Sequence, residues 1–444
     1  MHKNRKFIVG FALSVGLWGG PTQAATYVYV SNAEDGTIGM YTMENDGTLK
    51  PGTAIEAGKL VMPMNVSPDK RFLFAAVRSQ PFSAVSYTID RATGALKLVA
   101  KAPLAESLPY ITTDKSGKWL LGASYGGHKV TVNPIGSDGK VGKESQVIPT
   151  ALNAHAILTD KSNKYAFVPH LGTDQVFQFR FDAGTGKLSS NTPATVQMKS
   201  RTGPRHLVVS NDNKFVYLLN ELTAVVTTLA LDQKTGQLTQ VSEASALPAD
   251  SKLQPGAPRV PAGTGVPARD VSNDIWASDL HLTPDGKFLY AAERTGSSIG
   301  AFSVDEATGK LKFLSSTPVE KQPRGFRIHP NGKFMVVSGQ QSSTISVFAI
   351  EAKWRTGPAV PIELLVRSAA YRNLPSGVTC RSDAQMSFEV SRGAWPGART
   401  PPRGAPGTSL VSAGSAEAEL TSVSRPVPAS SDSVVTVAVS SFSR

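Results

Sequence analysis

The sequence predicts an all-β protein assembled from one repeated unit, and three observations lead to that prediction. A turn, a basic residue and a short apolar strand recur six times, with the basic residue at Arg71, Lys118, Lys164, Lys214, Lys287 and Lys333. These residues lie 47, 46, 50, 73 and 46 positions apart. Between the turns, apolar and polar residues alternate with a period of two and show no helical period. The 39 glycines and 30 prolines are typical of many short strands joined by turns.

A second marker recurs in step with the first and completes the unit. It is a glycine turn two positions before Leu or Val, at Gly47, Gly94, Gly139, Gly186, Gly236 and Gly309. Each unit of about 40 to 50 residues is therefore predicted to hold four short antiparallel strands, the size of one propeller blade. Residues 27–32 match the second strand of the other units and supply a partial seventh. We predict a seven-bladed β-propeller of four-stranded antiparallel blades; two stacked β-sandwiches, the alternative fold, would need no fixed period.

The first 24 residues have the pattern of a cleaved secretory signal peptide. A basic start is followed by the uncharged stretch 7–20 and by Thr22-Gln23-Ala24, with small residues near the cleavage position. The apolar stretch is too short and too rich in glycine for a membrane-spanning helix, which needs about 20 residues. An uncleaved anchor is the alternative. We expect cleavage near Ala24 and a periplasmic or secreted protein without a membrane span.

Two segments depart from the repeat within or after the predicted propeller, which covers residues 25–351. An insertion at about 248–276, rich in Pro and Gly, is interpreted either as a partial lid or as a disordered loop. From 352 to 444 the repeat stops, and the chain has 1 Lys and 9 Arg after 24 Lys and 12 Arg before it. One hypothesis is a frameshift near Lys353; the other is a non-repeat, low-complexity and disordered tail. On either hypothesis, the sequence offers no convincing innermost strand to close the first blade.

Composition excludes several classes of function. Cys380 is the only cysteine, which excludes a disulfide framework and cysteine-based zinc or iron–sulfur sites. The net charge of +12 is scattered singly rather than gathered into a basic stripe, so no nucleic acid is expected as a partner. The chain has no Gly-x-Ser-x-Gly elbow of a serine esterase. We expect a monomer that uses no cofactor and no metal.

The repeat places charged residues around one end of the predicted central channel. The innermost strands begin at equivalent positions, which are Pro63, Pro109, His155, Arg205, Ser278 and Arg324. The neighbouring strand is antiparallel, so its end lies beside these positions, at Arg78, Tyr125, Leu171, Glu221, Arg294 and Gln340. One His, one acid and several Arg are thus expected to converge, although each alone is equally consistent with a solvated rim. His206 and His281 are interpreted as packing or hydrogen-bonding groups.

Five motifs resemble the seven-bladed propeller lactonase family, which includes bacterial propeller-type 6-phosphogluconolactonases and the fungal carboxy-muconate cyclase. They are Gly203-Pro204-Arg205-His206, Asn220-Glu221-Leu222, Asp279 to Gly286, Glu293-Arg294-Thr295 and Gln322 to Phe326. The resemblance covers about residues 26–351 and implies opening or formation of a sugar or muconate lactone without a metal. The cyclase site of one His, one acid and two Arg then falls on His155, Glu221, Arg205 and Arg294.

The chain departs from this family in two respects. The Gly-Pro-Asn-Trp closing segment is missing, which puts closure of the propeller in question. The predicted signal peptide also differs from the cytoplasmic setting of the pentose-phosphate pathway, and therefore favours an unphosphorylated aldonolactone as substrate.

Lactone hydrolysis requires a base that activates water and cationic donors where the oxyanion develops. We expect Glu221 or His155 to be the base and Arg205 and Arg294 to hold the carbonyl oxygen or a carboxylate. Substrate hydroxyls or a phosphate would be bound by Arg324 and Arg78. A calcium-dependent lactonase is disfavoured because a channel rimmed by arginines repels a divalent cation. The alternative is a non-catalytic exported propeller that binds an anionic ligand or a protein partner, and a simple anion pocket would not require an acid paired with a histidine.

Overall fold

The computed structural model describes residues 25–258 and 270–350, together with the backbone of the strands Leu364–Val366, Tyr371–Arg372 and Val435–Phe442. These residues form seven antiparallel sheets and contain no helix, so none of them belongs to a helix that could cross a membrane. Each sheet holds four strands in line, and the seventh carries one more short strand. The prediction of a seven-bladed β-propeller is confirmed.

Several predicted segments lie outside the described residues. The predicted signal peptide, 1–24, does so entirely, as does the part of the insertion from 259 to 269. Most of the predicted tail, 352–444, does as well, apart from the three strands named above. Cleavage near Ala24 and the frameshift therefore stay predictions.

The strands follow one another around the ring in chain order. Blades one to three contain β1 (Ala25–Asn32), β2 (Thr37–Met43), β3 (Leu49–Glu56), β4 (Val61–Val66), β5 (Phe72–Val77), β6 (Ser83–Ile89), β7 (Leu96–Pro103), β8 (Tyr110–Thr113), β9 (Trp119–Ser124), β10 (Lys129–Pro134) and β11 (Gln146–Pro149). Blades four to six contain β12 (Leu158–Thr159), β13 (Tyr165–His170), β14 (Gln175–Asp182), β15 (Lys187–Gln197), β16 (Pro204–Val209), β17 (Phe215–Asn220), β18 (Val225–Leu231), β19 (Leu238–Ser245), β20 (Ala277–Leu282), β21 (Phe288–Glu293), β22 (Ser298–Val304) and β23 (Leu311–Pro318). Blade seven contains β24 (Pro323–Ile328), β25 (Phe334–Gly339), β26 (Thr344–Ile350), β27 (Leu364–Val366) and β28 (Tyr371–Arg372), and the last strand is β29 (Val435–Phe442).

The recurring turn before the second strand of a blade is held by its own side chains. In blade two, the Ser67 hydroxyl donates to Asp69 at 2.6 Å and accepts the backbone N–H of Phe72 at 2.9 Å. Ser210 bonds in the same way to Asp212 and to Phe215 in blade five. These side chains satisfy backbone groups that the tight turn leaves unpaired, and Thr283 with Asp285 makes the equivalent bonds in blade six.

The glycine turns recur because each packs against the preceding blade. Gly94 has φ of +74°, and a Cβ on it would lie 2.4 Å from the ring of Tyr27 in blade one. Gly47 closes the ring in the same way, since a Cβ there would lie 2.6 Å from the ring of Phe334 in blade seven. Both the left-handed backbone and the aromatic contact therefore require glycine. The equivalent pairs are Gly139 with Phe72, Gly186 with Trp119, Gly236 with Tyr165 and Gly309 with Phe215.

The C-terminal end of the chain supplies the innermost strand of the first blade. Strand β29 pairs antiparallel with β1 along its whole length, from Ala25 opposite Phe442 to Asn32 opposite Val435. It lies beside β24 and β4, the innermost strands of the neighbouring blades. The expectation that the sequence offers no strand to close this blade is therefore wrong, because a segment of only eight residues near the end of the chain pairs with β1.

Candidate active site

Two arginines lie at β-bulges near the start of innermost strands, at one end of the central channel. In β16, Arg205 lies between two residues that pair with consecutive residues of β17, so it has no partner opposite. Arg324 has the same position in β24 relative to β25. Such a bulge turns a side chain out of the normal alternation of a strand. Glu221 and Arg294 directly follow β17 and β21, so the adjacent strand ends bring them to the same face.

The Glu221 carboxylate is the centre of the site and is 5% exposed. Its Oε2 accepts a hydrogen bond from Arg205 Nε at 2.6 Å and lies 3.2 Å from Arg294 Nη2. The indole Nε1 of Trp276 donates to Oε1 at 2.9 Å. Burial alone would raise the pKa of Glu221, but Arg294, Arg205 and Arg324 outweigh it and leave the pKa lowered. The group is therefore a carboxylate at neutral pH, and both of its oxygens already accept donors.

His155 lies beside the Glu221 carboxylate and is equally buried. Its Nε2 is 3.9 Å from Glu221 Oε2, and its Nδ1 is buried without a hydrogen-bond partner. The ring packs edge-on against Tyr125 and His206, with centroids 5.6 and 5.2 Å away. Burial, followed by the charge of Arg205, lowers the pKa of His155 well below 6.5. The imidazole is therefore neutral at pH 7, and neither ring nitrogen lies within hydrogen-bond distance of a described residue.

Trp276 and Arg294 hold each other against the carboxylate. The Arg294 guanidinium carbon lies 3.6 Å from the centre of the Trp276 ring, a cation–π contact. Arg294 also donates to the backbone oxygens of Trp276 at 2.9 Å and Ala277 at 3.0 Å. The Trp276 backbone N–H donates in turn to the buried carboxylate of Glu293 at 2.7 Å. The end of the insertion is thereby fixed in contact with Glu221.

Arg324 and Arg78 extend the positive region along the rim. Arg324 makes no hydrogen bond or ion pair with any other described residue, and its pKa is lowered well below the ordinary value by burial and by Arg205, Arg294 and Arg78. Arg78 is half-buried, donates from Nε to the Ser107 hydroxyl at 3.1 Å and has a pKa lowered by burial. Planar guanidinium groups suit bidentate contact with a carboxylate or a phosphate.

A cavity of about 320 Å³ occupies the channel beside this cluster. Arg205 and Arg324 line it at this end, whereas Lys115 and Lys161 line it where the innermost strands β8 and β12 end. His155, Glu221 and Arg294 do not line it. Arg205 therefore contacts both the Glu221 carboxylate and this cavity. Among the described residues, no group of three His, Cys, Asp or Glu side chains is arranged to hold a metal ion.

The structure brings together all the residues that the repeat selected. His155, Arg205 and Arg294 each lie within 4 Å of Glu221, while Arg324 and Arg78 lie farther along the rim. The interpretation of His206 and His281 as hydrogen-bonding groups is confirmed, because both contact Asp279 at 3.0 Å. Sequence reasoning gave Trp276 no role. Its only signal was its place at the end of the insertion, directly before an innermost strand.

Comparisons with known proteins agree on one family. A family model described as lactonase, 7-bladed beta-propeller, matches residues 22–357. The chain is 36% identical to the 6-phosphogluconolactonase of Serratia proteamaculans over 324 residues, which cover 73% of this chain and 91% of that protein. It is 35% identical to the 6-phosphogluconolactonase of Erwinia tasmaniensis over 325 residues, with the same coverage of both chains.

A solved structure leads to the same family. The periplasmic gluconolactonase of Pseudomonas aeruginosa superposes with a TM-score of 0.63 at 26% identity, covering 77% of this chain and 97% of that one. The matched family model, over residues 22–357, spans the propeller from β1 to β26. The protein therefore belongs to the seven-bladed β-propeller lactonase family, and its relatives named 6-phosphogluconolactonase are carboxylic ester hydrolases.

Proposed function

We propose that this protein hydrolyses an aldonolactone at the end of the channel where Glu221 lies. The observation that carries the proposal is the arrangement around that carboxylate. One buried acid meets two guanidiniums and an indole N–H, with a neutral histidine 3.9 Å away. This set supplies what hydrolysis of a cyclic ester requires, which is a base for water and fixed cations for the developing oxyanion.

His155 is proposed as the general base in preference to Glu221. Both oxygens of Glu221 accept strong donors, and its lowered pKa makes it a weak base. His155 is neutral, and its buried Nδ1 has no hydrogen-bond partner among the described residues, so this nitrogen is proposed to take a proton from a water that enters with the substrate. Glu221 Oε2 faces Nε2 of the same ring, and so stabilises the imidazolium that forms.

The reaction follows from these positions. Water loses a proton to His155 Nδ1 and adds to the lactone carbonyl carbon, forming a tetrahedral oxyanion. Arg205 Nη2 is the guanidinium nitrogen that makes no hydrogen bond with the described residues, and it is proposed to hold this oxyanion. The bond between that carbon and the ring oxygen then breaks, and the leaving oxygen takes the proton back from His155. The product is an open-chain hydroxy acid, whose carboxyl group releases a proton to solvent.

The substrate is proposed to be an unphosphorylated aldonolactone in the periplasm. The predicted signal peptide supports this location, and a relative of similar structure is named a periplasmic gluconolactonase. Relatives named 6-phosphogluconolactonase support the phosphorylated lactone instead. Arg324 and Arg78 suit either substrate, since they are proposed to bind hydroxyls or a phosphate group.

A non-catalytic propeller that binds an anionic ligand is the second candidate. It is favoured by one observation, which is that the cavity is lined by Arg205 and Arg324 but not by His155 or Glu221. On this hypothesis the two arginines would hold a carboxylate or phosphate, and the acid would serve only to order them. The test must therefore separate ligand binding from turnover.

The proposed function is tested by comparing the parent protein with His155→Gln in proton release from glucono-1,5-lactone, above the spontaneous rate. We expect His155→Gln to lose about 10²–10⁴-fold in kcat, because a positioned base contributes that much. His329→Gln is the control, since His329 is partly buried and follows β24 at the opposite end of that strand from Arg324. Turnover by the parent that persists in His155→Gln would exclude His155 as the base.

A further inference from the structure

A second buried carboxylate lies next to the proposed active site and has no role in the mechanism above. Asp279 is 8% exposed. Its Oδ1 contacts His206 Nδ1 at 3.0 Å, and its Oδ2 contacts His281 Nε2 at 3.0 Å and Arg327 Nη1 at 3.2 Å. Burial alone would raise the pKa of Asp279, but His281, His206 and Arg327 outweigh it and hold the pKa well below its ordinary value. Asp279 is therefore an anion in the wall of the central cavity.

The hydrogen bonds of His206 can be assigned a direction from chemistry alone. Arg205 Nη1 lies 3.0 Å from His206 Nε2, and a guanidinium can only donate. His206 Nε2 must therefore accept, which places the ring proton on Nδ1, where it donates to Asp279 Oδ1. Burial, followed by the charge of Arg205, lowers the pKa of His206 to about 3, so the neutral ring is the form present at pH 7.

These bonds form one continuous chain that ends on the catalytic cluster. Arg205 donates from Nη1 to His206 and to the backbone oxygen of Ser278, and from Nε to Glu221. Its guanidinium plane is thereby fixed from two sides, and Nη2 is the nitrogen left for substrate. We propose that His206 and Asp279 are positioning residues that hold Arg205 in the orientation needed to bind the oxyanion, an inference that rests on the proposed function of Arg205.

His206 makes hydrogen bonds that a residue serving only to pack would not need. The ring does pack edge-on against Tyr110 and His155, with centroids 5.2 Å away in both cases. An apolar side chain could make those contacts. It could not accept from Arg205, and Nη1 would then keep only the Ser278 oxygen. Asp279 fixes the tautomer of His206, which packing alone does not require. A carboxylate that accepts from Nδ1 keeps the proton there and leaves Nε2 as an acceptor.

The test compares two substitutions of His206, of which only one can accept a hydrogen bond from Arg205. In His206→Gln, Oε1 occupies the place of Nε2 and can accept from Arg205. In His206→Leu, a side chain of similar bulk accepts nothing. We expect His206→Leu to lose about 10- to 100-fold in kcat, because displacing a catalytic group by about 1 Å can cost about 100-fold. We expect His206→Gln to keep kcat within about 5-fold of the parent. Asp279→Asn should lie between them, because Asn keeps an acceptor but not the charge.

The same substitutions at His329 control for the loss of a hydrogen-bonded histidine. Its Nε2 contacts Thr26 at 2.9 Å, and its Nδ1 accepts the backbone N–H of Asn331 at 3.0 Å. His329 follows the last residue of β24, whereas Arg324 lies at the start of that strand. Both His329 variants should keep the parent's kcat. Equal activity of His206→Leu and His206→Gln, whether both unchanged or both reduced in a folded protein, would overturn the proposal.

A second measurement keeps this inference separate from the proposed function. If the parent protein does not turn over lactones, the proposed function fails. Binding of gluconate, measured by calorimetry, then reads the orientation of Arg205 directly. We expect a Kd about 10-fold weaker in His206→Leu and close to the parent in His206→Gln, because only glutamine keeps the acceptor. Equal Kd values in the two variants would overturn the role of His206 as a positioning residue.

Discussion

Replacing Glu221 with glutamine removes the charge on which the whole cluster depends. Glutamine keeps the shape of the side chain, but one of its two ends becomes an NH₂ group. Whichever way the amide turns, this group faces a donor, either Trp276 Nε1 or Arg205 Nε. Arg205 and Arg294, each 1% exposed, also lose the carboxylate that lies 2.6 and 3.2 Å from them. Removing one partner of a buried ion pair costs about 3–5 kcal/mol, and two cations share this one.

We therefore expect Glu221→Gln to lower the free energy of unfolding by about 4–5 kcal/mol, in the upper part of that range. Activity should fall about 10²–10⁴-fold, since the imidazolium of His155 loses its counter-charge and the arginines lose their alignment. Urea denaturation followed by tryptophan fluorescence measures the first quantity. Proton release from glucono-1,5-lactone in a pH-stat measures the second.

Two further variants show whether lost activity merely reflects lost stability. Asp114→Asn removes another fully buried carboxylate, which accepts the backbone N–H groups of Lys118 and Trp119 at the opposite end of the innermost strand β8. It should lower stability and leave kcat within about 2-fold, because that end takes no part in the chemistry. Glu221→Gln with Arg294→Met should recover stability but not activity. Full activity of folded Glu221→Gln, or of the double variant, would refute the reasoning.

Four other predictions follow from the same contacts. Protonation inactivates a base, and burial holds the pKa of His155 well below 6.5. We therefore expect kcat/KM to stay level from about pH 8 to 6.5, with any acid limb centred below 6.5; an acid limb centred at 6.5 or higher would contradict this. Trp276→Phe keeps a ring on Arg294 but loses the bond to Glu221, so kcat should fall about 5- to 50-fold, whereas no change would remove Trp276 from the site. Arg324→Gln should raise KM about 10-fold or more with kcat changed less than about 3-fold, because an anion-binding group acts on binding; the reverse pattern would make Arg324 part of the chemistry. EDTA treatment should leave the rate unchanged, and loss of activity restored by calcium would contradict the metal-free mechanism.

The sequence predicted the position of the site because the site is built on the repeat. Arg205 and Arg324 are the second residues of innermost strands, while Glu221 and Arg294 follow second strands, so counting along one period places all four on one face. The bulges that turn the two innermost arginines toward the channel were not predictable. A register shift of one residue changes backbone pairing without leaving a mark on the repeat.

Trp276 and the closing strand were missed for a related reason. Both lie where the chain departs from the repeat, so no period could place them. Strand β29 pairs with β1 through backbone groups, which any residue except proline can supply. Its run of Val, Thr and Ala at 434–439 predicts a strand, but the pattern does not indicate which strand it pairs with. The contact between Trp276 and Glu221 joins residues 55 positions apart and is likewise invisible in a local pattern.

The most direct test of the account is proton release by the purified parent protein on glucono-1,5-lactone and on its 6-phosphate. Circular dichroism should first show a folded β protein. We predict a saturable rate above the spontaneous one, proportional to protein concentration, and larger kcat/KM for the unphosphorylated lactone. A folded protein that binds gluconate but accelerates neither lactone would contradict the proposed catalysis and establish the anion-binding propeller instead.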